Sequence, residues 1–234
     1  MRDPVSVAVV QPPCVSYDVA LNAATHAATV RAAGARVVVF PELSLTGYEL
    51  AAPAVTVDDP RLAPILEACT ETGAIALVGA PVPGAGGRPQ IGMLAVDGTG
   101  ASVVYRKVWL GGAEPDHFAP GDRPAVLDVD GWRLGLAICK DTGIPQHAAD
   151  TAALGMDIYV AGMLEADEDV AILAQRARRI AAGHGVWVAI ASFAGATGGG
   201  YVRAAGCSGI WAPDGAVIAR AGKEVGAIVR MMLG

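Results

Sequence analysis

The stretch RVVVFPELSLTGY, residues 36–48, joins a run of β-branched residues to an acidic residue and a loop. A short continuous apolar run of this kind is typical of a strand buried on both faces in an α/β protein. We interpret residues 36–42 as that strand. Glu42 then stands where the strand leaves its sheet, and ligands of open α/β sheets bind outside the carboxyl ends of strands.

Similar strands alternate with Ala-rich helical segments around this stretch. Residues 6–12 and 74–82 are predicted strands. One helix is predicted from a cap at Asp18 to about Gly34, and a second from Asp58-Asp59-Pro60 to Gly73. An acidic cap or a cap followed by proline begins a helix, and glycine commonly ends one.

The second half of the chain mixes hairpins with further βα units. Predicted elements are strands 90–97, 102–108, 125–130, 132–141, 157–164, 186–192, 206–212, 216–220 and 225–231, helices around 145–155 and 168–182, and a hairpin turn at 213–216. This mixture indicates α/β layers with mixed sheets rather than a Rossmann sheet or a TIM barrel. The Gly/Pro-rich residues 81–89 are predicted to form a surface loop, so we predict a single domain over residues 1–234.

Composition restricts the class of protein. The chain has 234 residues, of which 53% are hydrophobic, and a net charge of −6. A chain of this length can bury a core without disulfides or metals. The negative charge argues against nucleic acid and anionic membranes as partners. No apolar run reaches the ~18 residues of a membrane span, and no signal peptide is visible, so we predict a cytoplasmic protein.

The four cysteines, Cys14, Cys69, Cys139 and Cys207, are far apart and show no zinc-ligand spacing. We therefore expect reduced thiols and neither a metal nor an organic cofactor.

Besides Glu42, two more polar residues occupy strand ends in the predicted pattern. Lys107 comes late in the strand of YRKVWL (105–110), and Cys139 lies at the tail of the strand in LGLAICKD (134–141). Each of these residues, taken alone, has an ordinary structural explanation.

Together, FPELSLTGY (40–48), YRKVWLGGAEPDHFAPG (105–121) and GLAICKD (135–141) resemble the signature segments of the nitrilase superfamily of carbon–nitrogen hydrolases. The resemblance extends over essentially the whole chain. It implies a four-layer α-β-β-α sandwich with two mixed β-sheets. It also implies a catalytic triad of Glu42, Lys107 and Cys139, with Glu114 matching a further glutamate of the family.

The resemblance implies cysteine-dependent hydrolysis of a non-peptide C–N bond through a thioester. Glu42 would act as general base, and Lys107 would stabilise the thiolate and the oxyanion. The backbone N–H of Lys140 would be the second oxyanion donor, and Glu114 would position Lys107 or the substrate. Because neighbouring residues of a strand face opposite ways, the side chain of Lys140 is expected to point away from Cys139.

The substrate is expected to be a small amide, such as an ω-amide, with an N-carbamoyl amine or a nitrile as alternatives. Membrane-embedded acyltransferases of similar sequence are disfavoured because this chain has no span. The resemblance also implies a homodimer or larger homo-oligomer. The chain ends at VGAIVRMMLG (225–234) without the C-terminal tail of many relatives, which leaves the extent of that assembly open.

Two other readings of the chain stay open at this point. His147 lies eight residues after Cys139 and could form a Cys–His pair with it. The chain could also be a non-catalytic binding subunit of the same fold.

Two departures from the family pattern concern the pocket. Thr142 and Gly143 are expected to make its wall smaller and more polar, and the glycine-rich residues 195–201 are a candidate lid.

Overall fold

The computed structural model describes residues 2–234, which form two six-stranded sheets and a small two-stranded one. The first sheet contains β1 (Val5–Val10), β2 (Val37–Val39), β3 (Ile75–Val82), β4 (Gln90–Asp97), β5 (Gly100–Arg106) and β14 (Ile228–Leu233). The second sheet contains β6 (Ala125–Val129), β7 (Trp132–Ile138), β8 (Ile158–Met163), β9 (Trp187–Ser192), β12 (Gly209–Trp211) and β13 (Val217–Arg220). The small sheet pairs β10 (Ala194–Gly195) with β11 (Ala204–Ala205).

Both large sheets are mixed, as predicted. Their strand orders are β14-β1-β2-β3-β4-β5 and β13-β12-β9-β8-β7-β6. In each sheet three neighbouring strands are parallel, β1 to β3 in the first and β7 to β9 in the second. The strands beside them are antiparallel. The parallel strands therefore end at a common edge in each sheet, where polar side chains can converge.

Alternating side chains of each central strand enter two different cores. In β1, Val7 and Val9 pack between the two sheets, whereas Ala8 and Val10 pack against helices. The helices over the first sheet are α1 (Val19–Ala33) and α2 (Ala63–Thr72). Those over the second are α4 (Pro145–Ala153) and α5 (Val170–His184), while α3 (Glu114–His117) is a single short turn. The predicted four-layer α-β-β-α sandwich is confirmed.

The predicted local signals set both ends of α1 and the C-terminal end of α2, whereas the Asp59-Pro60 signal begins a 3-10 turn over Pro60–Leu62 and α2 itself starts at Ala63. The Asp18 side chain accepts a hydrogen bond from Leu21 N at 2.9 Å and so caps α1. Gly34 and Gly73 follow α1 and α2 in the left-handed conformation, which glycine adopts without a Cβ clash. The turn predicted at 213–216 joins β12 to β13, with Ala212 N donating to Ala216 O at 2.9 Å.

Several predicted strands extend beyond the observed ones. The strand predicted over 36–42 ends at Val39, and β5 ends at Arg106, one residue before Lys107. The strand predicted over 132–141 ends at Ile138, and residues 139–143 form a short 3-10 helix. The chain turns here because the Asp141 carboxylate accepts a hydrogen bond from Ile138 N at 2.9 Å. Within residues 2–234, no helix combines the length and apolarity needed to cross a membrane.

Candidate active site

The loop that carries Glu42 contacts both large sheets through glycines. A Cβ added at Gly79 in β3 would lie 2.3 Å from Leu43 N. A Cβ added at Gly162 in β8 would lie 2.6 Å from Phe40 O. Any side chain at these two positions would therefore displace the loop. The absence of side chains there lets the backbone after β2 approach both sheets and directs Glu42 into the interior, where its side chain is buried.

Lys107 is buried between two carboxylates. Its Nζ donates to Glu42 Oε1 at 2.6 Å and to both carboxylate oxygens of Glu114 at 2.7 Å. Glu114 is itself fixed, since it accepts hydrogen bonds from Gly111 N at 2.8 Å and from the Tyr48 hydroxyl at 3.1 Å. We call Glu42, Lys107 and Glu114 the triad cluster, because it contains the two charged members of the predicted catalytic triad together with Glu114; Cys139 is not counted in it. The structure brings these three predicted site residues into direct contact.

Cys139 completes the arrangement at the turn after β7. It has φ +41°, a left-handed conformation that is uncommon for a residue with a Cβ and that is found at strained functional turns. Its thiol donates to Leu164 O at 3.3 Å. The neighbouring Glu42 Oε2 is buried and has no hydrogen-bond partner within residues 2–234. A buried carboxylate oxygen with free lone pairs is an available proton acceptor.

Burial and neighbouring charges set the protonation of the site. Burial raises the pKa of Glu42 to about 8, although Lys107 opposes this shift. Burial would lower the pKa of Lys107, but the charges of Glu42 and Glu114 outweigh it and keep that pKa above its ordinary value. Burial, together with the charge of Glu42, also raises the pKa of the Cys139 thiol. The resting thiol is therefore protonated and needs a base to become a nucleophile.

A second buried group of polar residues holds the Cys139 turn. Asp141 Oδ2 accepts hydrogen bonds from the Tyr105 hydroxyl at 2.7 Å and from Ile138 N at 2.9 Å. Asp141 Oδ1 accepts one from Trp109 N at 2.9 Å. One carboxylate thus ties the turn after β7 to β5 and to the loop that follows β5.

His147 is hydrogen-bonded within this second group and not to the nucleophile Cys139. Its Nε2 lies 2.8 Å from the Tyr105 hydroxyl, and its Nδ1 lies 2.9 Å from the Tyr159 hydroxyl. Both ring nitrogens are therefore occupied, and the Cys139–His147 pair considered from the sequence is not formed. Burial raises the pKa of Asp141 and lowers the pKa of His147, so both groups are shifted toward their neutral forms. We call Asp141, Tyr105, His147 and Tyr159 the support cluster.

A cavity of about 300 Å³ opens onto Cys139, Lys107 and Glu114. Its remaining wall includes Tyr48, Lys140, Leu164, Glu165, Arg176 and Tyr201. Lys140 is exposed and borders this cavity, and its side chain lies beside Gly111 of the same wall. Because Lys140 lies in a helical turn, the alternation of side chains expected for a strand does not apply to it.

The glycine-rich segment also reaches the cavity. Gly199 and Tyr201 lie in its wall, and the Tyr201 ring meets the Tyr48 ring edge-on at 5.6 Å. Thr142 and Gly143 do not border the cavity directly, and Gly143 lies against the Arg176 guanidinium, which does. The Thr142 hydroxyl instead donates to Cys139 O at 2.7 Å and helps to fix the turn.

Sequence reasoning missed two charged residues of the cavity. Glu165 follows β8, and Arg176 lies in α5 and donates through Nη1 to Glu165 Oε1. Glu165 could have been found by the signal that identified Glu42, since it is an acidic residue just beyond the carboxyl end of a buried parallel strand. Arg176 gave no such signal, because one of several arginines on an amphipathic helix is usually a solvated residue.

Known proteins resemble this chain in sequence and fold. The family model for carbon-nitrogen hydrolases matches residues 6–230. A Pseudomonas protegens protein named "Hydrolase in pqqF 5'region" is 32% identical over 245 aligned positions, covering 97% of this chain and 84% of its own length. An (R)-stereoselective amidase of a Pseudomonas species is 32% identical over 127 positions, covering 52% of this chain and 46% of its own.

Among solved structures, a cysteine-to-alanine mutant of an amidase from Nesterenkonia superposes with a TM-score of 0.88. The superposition covers 100% of this chain and 92% of the amidase chain, and the two sequences are 22% identical. The same amidase has also been solved with butyramide. At this identity the likeness concerns the fold, whereas the family match and the first relative extend over nearly all of the sequence. The chain therefore belongs to the carbon-nitrogen hydrolase family.

Proposed function

We propose that the protein hydrolyses a small amide through a thioester on Cys139. The observation that carries this proposal is the environment of Glu42. One of its oxygens is bound to Lys107, and the other is buried next to a protonated thiol and has no hydrogen-bond partner within residues 2–234. A carboxyl group with a raised pKa in this position is suited to accept and return a proton near neutral pH.

In the first half-reaction, Glu42 takes the thiol proton as the Cys139 sulfur bonds to the amide carbon. The oxyanion is stabilised by the Lys107 ammonium and by the backbone N–H of Lys140, in the first turn of a helix where N–H groups lack intrahelical partners. The C–N bond then breaks, and the leaving amine takes the proton back from Glu42. An acyl thioester remains on Cys139.

In the second half-reaction, water attacks the thioester carbon while Glu42 accepts one of its protons. The C–S bond breaks, the sulfur is reprotonated, and a carboxylic acid is released. Amide and water are consumed, and ammonia or an amine and the acid are formed, so atoms and charges balance. Glu114 holds Lys107 in place throughout, which its two hydrogen bonds to Nζ support. No step requires a metal or an organic cofactor.

The proposal is tested by ammonia release and by trapping the acyl-enzyme. Small amides, ω-amides, N-carbamoyl amines and nitriles are compared, and rapid quench with mass spectrometry locates the acyl group. We expect turnover of amides and an adduct on the peptide that contains Cys139. Cys139→Ala is expected to lose at least about 10³-fold in kcat, because attack by the thiol is removed.

Cys14→Ala is the matched control, since Cys14 is half-buried and its thiol contacts Thr197. This variant should keep its activity. Substantial turnover by Cys139→Ala would overturn the mechanism, and ammonia from nitriles but from no amide would overturn the substrate class. If iodoacetamide labels Cys139 no faster than the other cysteines and no substrate is turned over, the chain is a binding subunit.

Both large sheets share one apolar core and contribute residues to the site, which supports the proposal of one domain over residues 1–234. The homodimer or larger assembly and the cytoplasmic location stay predictions from the sequence.

A further inference from the structure

A second cavity, of about 370 Å³, adjoins the first one, which opens onto Cys139. Gly199 and Tyr201 border both cavities. One stretch of chain after β8 runs along both as well, since Glu165 borders the first cavity and the next residue, Ala166, borders the second. The glycine-rich segment is therefore a wall that the two cavities share.

Hydrogen bonds hold the glycine-rich segment in a closed turn. Thr197 N donates to Tyr201 O at 2.9 Å, and Tyr201 N donates to Gly198 O at 3.3 Å. The turn is also attached to the loop after β2, because Gly198 N and the Thr197 hydroxyl both donate to Gly47 O, at 2.7 and 2.9 Å. These contacts fix the backbone at Tyr201 relative to the loop that carries Tyr48.

The Tyr201 ring is held in place by packing. Of the two residues that border both cavities, only Tyr201 has a side chain. Its ring meets the Tyr48 ring edge-on at 5.6 Å, and the Tyr48 hydroxyl donates to Glu114 at 3.1 Å. A Cβ added at Gly199 would lie 2.9 Å from Tyr48 Cδ1, so the turn itself also packs on the Tyr48 ring. The shared wall thus rests on a side chain that is already fixed.

The proposed mechanism leaves one part of the substrate to extend along the first cavity. The amide oxygen lies between Lys107 and the backbone N–H of Lys140, and the leaving nitrogen lies beside Glu42. The acyl chain is then the part that runs along the rest of the wall, where Leu164 and Tyr201 supply apolar surface. A chain long enough to pass Tyr201 would reach the second cavity.

We propose that the Tyr201 ring determines the specificity for acyl-chain length by closing the first cavity toward the second. Short aliphatic amides are held in the first cavity. The distal carbons of a longer chain stay outside the second cavity and bury no further apolar surface there. Removal of the ring joins the two cavities, and the distal carbons can then be buried, which is favourable for each methylene. This inference rests on the proposed function for turnover.

The inference is tested with butyramide, hexanamide and octanamide, which differ only in chain length. The measured quantity is the octanamide-to-butyramide ratio of kcat/KM. In Tyr201→Ala this ratio should increase by about tenfold to a hundredfold, because the additional methylenes become buried, and hexanamide should be intermediate. Tyr201→Leu, which keeps an apolar side chain but no ring, should show a smaller increase and serves if Tyr201→Ala does not fold. Tyr201→Phe keeps the ring and should have the ratio of the parent.

A second substitution tests where the longer chain goes. Glu168 is exposed and borders the second cavity but not the first. Glu168→Trp, added to Tyr201→Ala, should fill the second cavity and return the ratio toward that of the parent. Glu168→Trp alone should keep the parent ratio, because the Tyr201 ring already closes the passage. An increase in Tyr201→Ala that Glu168→Trp leaves unchanged would overturn the inference.

Tyr17→Ala is the matched control, because Tyr17 is an exposed tyrosine that borders neither cavity. Its ratio should equal that of the parent. Calorimetry in the Cys139→Ala background makes the inference testable without turnover, and adding Tyr201→Ala should tighten the binding of octanamide more than that of butyramide. Butyramide hydrolysis with the parent ratio in both Tyr201→Ala and Tyr201→Leu would overturn the inference but leave the proposed function intact. Tighter octanamide binding without hydrolysis of any amide would do the reverse.

Discussion

Two buried polar clusters adjoin the Cys139 turn, and they differ in how fully their hydrogen-bonding capacity is used. In the support cluster, every buried side-chain nitrogen and oxygen has a partner, and burial shifts Asp141 and His147 toward neutral forms. The triad cluster concentrates charge and leaves Glu42 Oε2 unpartnered within residues 2–234. An unpaired buried acceptor costs free energy, and at Glu42 it leaves a lone pair for the thiol proton.

The difference separates residues that react from residues that position. A satisfied network fixes one geometry, which the left-handed turn at Cys139 requires. A reactive carboxylate must instead retain a lone pair for the proton it will accept. Three measurements test this division of roles.

The largest effect is expected for Glu42→Gln, which preserves shape and removes the proton acceptor. We expect kcat/KM to fall by about 10²–10⁴-fold, the usual contribution of a general base. The far-ultraviolet circular dichroism should be unchanged, because Lys107 keeps both hydrogen bonds to Glu114. Glu71→Gln, at an exposed residue paired with Arg31, is the control and should be silent. A loss of less than about tenfold in Glu42→Gln would assign the base to another group.

The pH dependence of kcat/KM for butyramide should show the raised pKa of Glu42. Below a pKa of about 8 the carboxyl group holds a proton and cannot accept one from Cys139. Activity should therefore increase about tenfold per pH unit up to that value and then level off. Butyramide is suitable because it does not titrate. A half-maximum near 4.5, the ordinary glutamate value, would show that burial does not control this group.

A smaller effect on catalysis is expected in the support cluster. Tyr105→Phe removes the hydroxyl shared by Asp141 and His147, so two buried groups lose a partner. The free energy of unfolding, measured in urea, should fall by about 1–3 kcal/mol. Activity should fall by less than about tenfold, because Ile138 N and Trp109 N still hold Asp141.

Tyr17→Phe is the control, because Tyr17 is an exposed residue and should change stability by less than about 0.5 kcal/mol. If Tyr105→Phe lost activity as severely as Glu42→Gln without losing stability, the support cluster would be part of the chemistry.

Local sequence was sufficient wherever the determining interaction is local. Asp18 caps α1, Gly73 ends the helix before β3, and residues 213–216 turn between β12 and β13. The mixed sheets followed from the alternation of β-branched runs and turns. Glu42, Lys107, Glu114 and Cys139 were identified only because their segments resemble a family. Nothing in the spacing of residues 65 positions apart, such as Glu42 and Lys107, implies a distance of 2.6 Å.

The tertiary structure alone decided what surrounds the nucleophile. Cys139 lies in a turn because the Asp141 carboxylate binds Ile138 N just before the turn and also Trp109 N, which is 32 residues before Asp141 in the sequence. Arg176 reaches the cavity because α5 covers the second sheet and Gly143 leaves room for its guanidinium. Caps, turns and strand periodicity depend on neighbours in sequence, so the sequence by itself determined them. The site depends on how two sheets stack and which backbone segments approach each other, and these contacts exist only once the chain is folded.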